Sequence, residues 1–206
     1  MLKDERGALC GSFLPLGCAS PSCGAPGGQR GFTIMELMVA VTVSVVLIAV
    51  AVPAFSALAA RNDLTVATNS LRGALLAARQ AAVTQGRPVG LCAGSPTAGC
   101  TGNWRDGRWM VFRDADHGGD LDAGETVIRS GGVPGGARVD GNGPLDAALV
   151  YVPMGHAEWP GGGFGAGRLR ICVPHDLAFN ARELVISASG RVRLVSRDFG
   201  GSCPAL

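Results

Sequence analysis

Residues 29–60 read QRGFTIMELMVAVTVSVVLIAVAVPAFSALAA. Arg30 stands before Gly31, and roughly twenty apolar residues follow, enough to cross a bilayer as a helix rising about 1.5 Å per residue. Lys3, Arg6 and Arg30 precede the run, and Asp4 and Glu5 offset little of their orienting effect. The positive-inside rule therefore keeps the N-terminus cytoplasmic and sends the rest of the chain across. Glu36 resists this simple pattern. A lone carboxylate in hydrocarbon costs at least about 2–3 kcal/mol, so it needs a partner or a task. A helix packing against copies of itself can supply the partner.

Two ordinary targeting readings compete. Ala57-Leu58-Ala59 is an A-x-A-like signal-peptidase site, but the run before it is long for a secretory h-region and that reading leaves Glu36 unused. Leu16-Gly17-Cys18 has the ending of a lipoprotein site without an apolar stretch before it. By contrast, Arg30-Gly31-Phe32-Thr33-Ile34-Met35-Glu36-Leu37 resembles the class III signal of type IV pilins and type II secretion pseudopilins. The resemblance implies cleavage by a prepilin peptidase between Gly31 and Phe32, methylation of the new Phe32 amine, and pairing of Glu36 with the Phe32 ammonium of a neighbouring subunit. Pro53 matches the helix-kinking proline common in these proteins. The implied leader of 31 residues is long for the class, and no methionine lies between Met1 and Met35.

Helical patterning continues past Pro53. Leu64, Ala67, Leu71, Ala74, Leu75, Ala78 and Ala82 recur at spacings of three and four. Arg61, Arg72 and Arg79 lie off that stripe, toward water or neighbouring subunits. Gly86 and Pro88 end the helix near Gln85. Beyond it the chain reads as short strands separated by turn signals: Pro88–Ala93, Arg108–Arg113, Thr126–Ser130, Ala148–Pro153, Arg168–Val173, Glu183–Ala188 and Arg191–Ser196. Ser189-Gly190 reads as the hairpin turn between the last two, and the Gly-rich stretch Met154–Gly167 reads as a loop. No α/β alternation or internal repeat is present.

The formal net charge of +2 names no partner by itself. Lys3 is the only lysine and every other basic residue is arginine, a bias that a GC-rich genome explains as well as phosphate or carboxylate recognition does. Of seven cysteines, Cys10, Cys18 and Cys23 fall in the expected leader. Cys92, Cys100, Cys172 and Cys203 follow the apolar run. An even set beyond a membrane segment suggests two disulfides in an oxidising compartment. Three pairings are open, and Cys92–Cys100 with Cys172–Cys203 is preferred: the first closes a short Gly/Pro/Thr loop and the second staples the C-terminal tail.

Cys92, Cys100, Trp104, Trp109-Met110-Val111-Phe112, the Asp-rich loop, Leu169–Cys172, Ser189-Gly190-Arg191-Val192-Arg193 and Cys203 fall in the order of the GspH/FimT group of minor pilin-like subunits, which this half resembles. Gly190-Arg191-Val192-Arg193 is similar to the Gly-Arg-x-Arg motif of FimT-like pilins that bind DNA during natural transformation. Alternation puts Arg191 and Arg193 on one face of a strand, with Val192 and Leu194 toward the core. Arg168 and Arg170 repeat that geometry and Arg197 follows. Such a group suits duplex phosphates without base preference; solubilising an edge hairpin is the plainer use. The loop Asp114–Glu125, DADHGGDLDAGE, approximates a calcium loop through Asp114, Asp116, Asp120, Asp122 and Glu125. It lacks the oxygen ligand at Gly118 and flanking helices, and a solvated acidic loop reads as well.

Catalysis finds little footing. His117, His156 and His175 have no metal-ligand spacing, and there is no G-x-S-x-G, P-loop or dinucleotide fingerprint. His175 and Asp176 near Cys172 suggest a thiol nucleophile less readily than a disulfide does in this compartment.

The expectation is therefore an α+β pilin-type fold, one long N-terminal helix packed on an antiparallel β-sheet. Its segments are a leader (1–31), an apolar assembly helix (32–60), an amphipathic continuation (61–86) and a β-rich periplasmic domain (87–206). The expected role is assembly into a type II secretion pseudopilus or type IV pilus, near the filament tip, with no enzyme activity and no cofactor unless the acidic loop holds calcium. Expected partners are the prepilin peptidase, other pilins, the inner membrane and, on the DNA-binding alternative, duplex DNA.

Overall fold

The computed structural model describes residues 31–146 and 148–206, so the expected leader, with Cys10, Cys18, Cys23 and Arg30, lies outside the described residues except for Gly31. Helix α1 spans Ile34–Gln85, 52 residues. Its start is set by Thr33, whose hydroxyl accepts the Glu36 amide at 3.2 Å while its carbonyl accepts that of Leu37 at 3.1 Å. Thr-x-x-Glu is the sequence of a capping box, which satisfies orphan first-turn donors. The helix ends where Gly86 takes a left-handed φ of 63°, a conformation that glycine adopts without steric penalty. The chain divides between Val43 and Ser44 into two units. The described part of the first, from Gly31, is exposed throughout.

Among the described residues the second unit has ten strands: β1 (Val89–Ser95), β2 (Gly99–Cys100), β3 (Arg108–Arg113), β4 (Val127–Gly132), β5 (Arg138–Gly141), β6 (Ala148–Tyr151), β7 (Ala157–Glu158), β8 (Gly167–Cys172), β9 (Ala181–Ile186) and β10 (Val192–Arg197). All described pairings are antiparallel. The α+β expectation holds, but the single sheet divides in two. One runs β4-β3-β1-β6-β7 with β2 paired to β1, and the other runs β10-β9-β8-β5. The sequence did not reveal β2, β5 or β7. β2 and β7 have two residues each, and β5 reads RVDG, too short and polar to show an apolar alternation. β7 lies inside the stretch expected as loop.

One core joins helix and sheets. Leu64, Leu71, Leu75 and the alanines of the helical stripe pack with Leu91, Val111, Leu149 and Tyr151 of the first sheet and Leu169, Ile171, Leu184 and Ile186 of the second. β1 is buried at all seven positions, as befits a central strand with both faces covered. Cys92, Met110, Phe112 and Ala148 form a second cluster, and Leu121 of the acidic loop packs against it.

Arg79 departs from expectation. Instead of facing water or a neighbour, its Nε donates to the Gly155 carbonyl at 3.1 Å and Nη2 to that of Ser189 at 3.4 Å, tying two loops to the helix.

Leu75 is fully buried whereas its neighbour Leu76 is 48% exposed. In chemical denaturation of the detergent-solubilised protein, Leu75→Ala is expected to lose about 2–5 kcal/mol by transfer and cavity terms, and Leu76→Ala no more than about 0.5 kcal/mol.

Candidate functional site

Two surfaces carry the sequence-derived candidates. The first is the N-terminal half of α1. Every residue from Gly31 to Ser56 is exposed, including Phe32 at 83% and Phe55 at 73%. This stretch makes the helix long and apolar enough to cross a membrane, and none of its most apolar window is buried against the other described residues. Glu36 lies in its first turn, where unpaired amides and the positive end of the helix dipole favour a negative charge. The sequence reading treated Glu36 as an intrusion in the run and passed over Thr33, although the Thr-x-x-Glu spacing was visible. Pro53 sits within the helix, and Ser56 Oγ donates to its carbonyl at 2.9 Å.

The second surface is the face of the β10-β9-β8-β5 sheet turned away from the core. Register puts Arg193, Val185 and Arg168 side by side, with Val195, Glu183 and Arg170 in the next row and Arg197, Ala181 and Cys172 beyond. Arg168, Arg193 and Arg197 line one depression with Glu183, while Arg191 and Arg193 line another with Ser187 and Ser189. The expected arginines thus share a face, but they are not equivalent. Glu183, 1% exposed, accepts from Arg170 Nη2 at 2.8 Å and Nε at 3.1 Å and from Arg197 Nε at 3.2 Å; Arg168 Nη1 lies 3.9 Å away. Burial acts to raise the Glu183 pKa, but the hydrogen bonds and charges of Arg170 and Arg197 prevail and hold it below its ordinary value.

Arg170 is spent inside the fold. Its side chain is 11% exposed. Nη1 donates to the Pro204 and Ala205 carbonyls at 3.0 and 3.2 Å, and its guanidinium lies 4.7 Å from the Phe199 ring centroid. Buried Asn180 donates to the Ser202 and Val173 carbonyls and accepts the Phe199 amide at 2.8 Å. The Cys172–Cys203 disulfide fixes the same tail, and a second disulfide joins Cys92 to Cys100. The tail therefore covers part of the arginine face. Sequence reasoning missed Glu183, Asn180 and Phe199. The only available signal was a carboxylate at a position that alternates with the buried Leu184.

Val192 packs against the core as expected, but Leu194 is 41% exposed, β10 being the edge strand of its sheet among the described residues. Gly190 has a φ of 75°, and a Cβ there would collide with the Gly155 carbonyl. The glycine of the Gly-Arg-x-Arg segment is thus required by the turn, whatever the arginines do.

In the acidic loop Asp114, Asp116 and Glu125 each place an oxygen within 4.8 Å of the others, while Asp120 and Asp122 stand outside the group. Burial foremost, and then Glu125, push the Asp114 carboxyl above its ordinary value against the backbone amide of Gly119 and the charge of His117.

A membrane-length apolar helix, a capped glutamate at its start and an oxidised β-rich body define a pilin-type subunit. Residues 67–190, more than half of the chain, match the family described as Type II transport protein GspH, and residues 27–52 match the Prokaryotic N-terminal methylation motif. The chain belongs to the GspH family, minor pilins and pseudopilins anchored in the inner membrane by a single span with a periplasmic globular domain. Two crystal forms of the Pseudomonas aeruginosa type IV minor pilin FimU resemble it at 18% and 19% identity, with TM-scores of 0.46 and 0.47; they cover 68% and 70% of this chain and 97% and 94% of their own. The minor pseudopilin EpsH from the Type 2 Secretion System of Vibrio cholerae resembles it at 14% identity and a TM-score of 0.46, over 65% of this chain and 97% of its own. No curated protein sequence matches.

The Glu183 contribution follows from its lowered pKa. It is fully present above the ordinary value of 4.5 and is lost as pH falls through the folded value. Near neutral pH, Glu183→Gln is expected to cost about 3–5 kcal/mol by stranding Arg170, and the gap from wild type should close in acid unfolding titrations. Gly190→Ala is expected to cost about 1–3 kcal/mol or more, read as a lowered melting temperature with Arg191 and Arg193 intact.

Proposed function

We propose that the chain is a minor subunit of an inner-membrane filament, foremost a type II secretion pseudopilus, and that it works by assembly rather than turnover. A prepilin peptidase cuts between Gly31 and Phe32 and methylates the Phe32 amine. The apolar helix waits in the bilayer. It leaves when Glu36 of one subunit pairs with the Phe32 ammonium of the next and sister helices replace lipid along the run, with Pro53 bending the helix to fit the bundle. The observation that carries this reading is the exposed, predominantly apolar surface from Gly31 to Ser56 among the described residues, in the same helix as the buried stripe from Leu64 to Ala82. That surface requires lipid or copies of itself. The family's description favours the secretion filament over a type IV pilus. Loss of exoprotein secretion with surface pili retained, on deleting the gene, would fit the former; the converse would fit the latter.

The assembly mechanism separates by variant. Gly31→Lys should leave the full-length precursor in the membrane. Glu36→Val should be cut normally yet fail to enter sheared filaments. Full incorporation of either variant would contradict the mechanism.

A second reading has its own observation. Arg191 and Arg193 are exposed on the same face as the half-exposed Arg168 and Arg197, and among the described residues no carboxylate pins them as Glu183 pins Arg170. They form a phosphate-sized cationic surface suited to duplex DNA. For the detergent-solubilised chain, changing Arg191 and Arg193 to alanine should weaken duplex binding and flatten the slope of log affinity against log salt by roughly one unit per lost phosphate contact. Binding unchanged by the pair would remove this reading and leave the filament role untouched.

A further inference from the structure

The loop between β3 and β4 does more than stay soluble. Asp114 follows the last residue of β3 and is fully buried. One of its oxygens, Oδ2, accepts the Gly119 amide at 3.1 Å; the other, Oδ1, is buried and has no hydrogen-bond partner among the described residues. A buried carboxylate oxygen left unpaired costs about 1–3 kcal/mol or more. The Asp114 carboxylate also sits with those of Asp116 and Glu125, whose ligand-type oxygens fall within 4.8 Å of one another. Three like charges at that range, one of them dehydrated, repel unless a cation lies among them.

The loop is built to hold this arrangement. Glu125 Oε1 accepts the Ala115 amide, Oε2 accepts the Asp122 amide at 3.1 Å, and Asp116 Oδ1 accepts the Gly118 amide at 2.9 Å. Leu121 anchors the loop on the second core cluster. These bonds use one lone pair on each of those oxygens and leave another for an ion.

We propose that Asp114, Asp116 and Glu125 bind a single calcium ion, with Asp114 Oδ1 as the dehydrated inner ligand. The donor group is all oxygen, without the histidine nitrogen or thiolate that zinc prefers. Asp116 is exposed and Glu125 half-buried, so water can complete the six to eight oxygens that calcium takes, whereas magnesium demands a tighter octahedron. A three-carboxylate, partly hydrated site belongs with extracellular modules, for which dissociation constants are about 0.1–1 mM. The ion would clasp the end of β3 to the start of β4, the strand at the edge of the first sheet. It would thereby steady one edge of that sheet.

The test uses the full chain in detergent after chelation, with calcium, magnesium and zinc each added alone. Equilibrium dialysis with radioactive calcium should give one site near the stated range, and calcium should raise the melting temperature where magnesium has little effect. Asp116→Asn, which keeps the oxygen that accepts the Gly118 amide and removes one repelling charge, should not lower the chelated protein's melting temperature but should weaken calcium binding about tenfold or more, and Glu125→Gln should weaken binding likewise. No calcium uptake at about ten times the upper dissociation constant would overturn the proposal. So would uptake unchanged by Asp116→Asn and Glu125→Gln together, or a preference for zinc.

Discussion

Helix α1 must satisfy two surroundings. From Leu64 onward its stripe of leucine and alanine is buried against both sheets, as in any amphipathic helix of a water-soluble body. From Gly31 to Ser56 the chain is predominantly apolar and every residue is exposed among the described residues. At about 25 cal/mol per Å² of apolar surface, keeping that stretch in water rather than in hydrocarbon or against other helices is strongly unfavourable. Hydrocarbon or other copies of the helix are the available solutions, and a filament drawn from a membrane uses them in turn. Glu36 is the one group that distinguishes the two. It is costly in lipid and useful where a neighbour offers a positive amine, and its place in the first turn beside the Thr33 cap eases the charge meanwhile.

The arginine face is organised around a single carboxylate. Glu183 gathers Arg170, Arg197 and, more loosely, Arg168, and Arg170 passes the constraint on to the tail through the Pro204 and Ala205 carbonyls. The Cys172–Cys203 bond and Asn180 hold the same segment. What remains for a partner is the hairpin end, Arg191 and Arg193, whose turn is fixed by Gly190 independently of any ligand. Of the five arginines on this face, Arg170 is committed to the fold, Arg168 and Arg197 stand half-exposed beside Glu183, and Arg191 and Arg193 are exposed.

Much of this was legible in the sequence because it is written in local patterns. The apolar run, the stripe spaced by three and four, and the glycine that stops the helix require only neighbours in the chain. The strands from Arg108, Ala148, Arg168 and Glu183 likewise announced themselves by β-branched and apolar residues. The division into two sheets did not, since it depends on which strands pair across long separations and on strands as short as β2 and β7. Arg79 and Arg170 were misread for the same reason. A charged side chain off an apolar stripe looks solvent-facing until the chain brings a carbonyl or a carboxylate to it from far away. In the acidic loop, spacing suggested five ligands, and only three-dimensional placement selected Asp114, Asp116 and Glu125.

The central claim is that the apolar helix enters a filament with a free, processed amino end facing Glu36 of a sister chain. Intact mass spectrometry of the protein extracted from membranes of a host with its own peptidase addresses it directly. The account predicts a mature chain beginning at Phe32 and heavier by one methyl group. A chain that retains residues before Phe32, or that has lost the apolar run altogether, would contradict it.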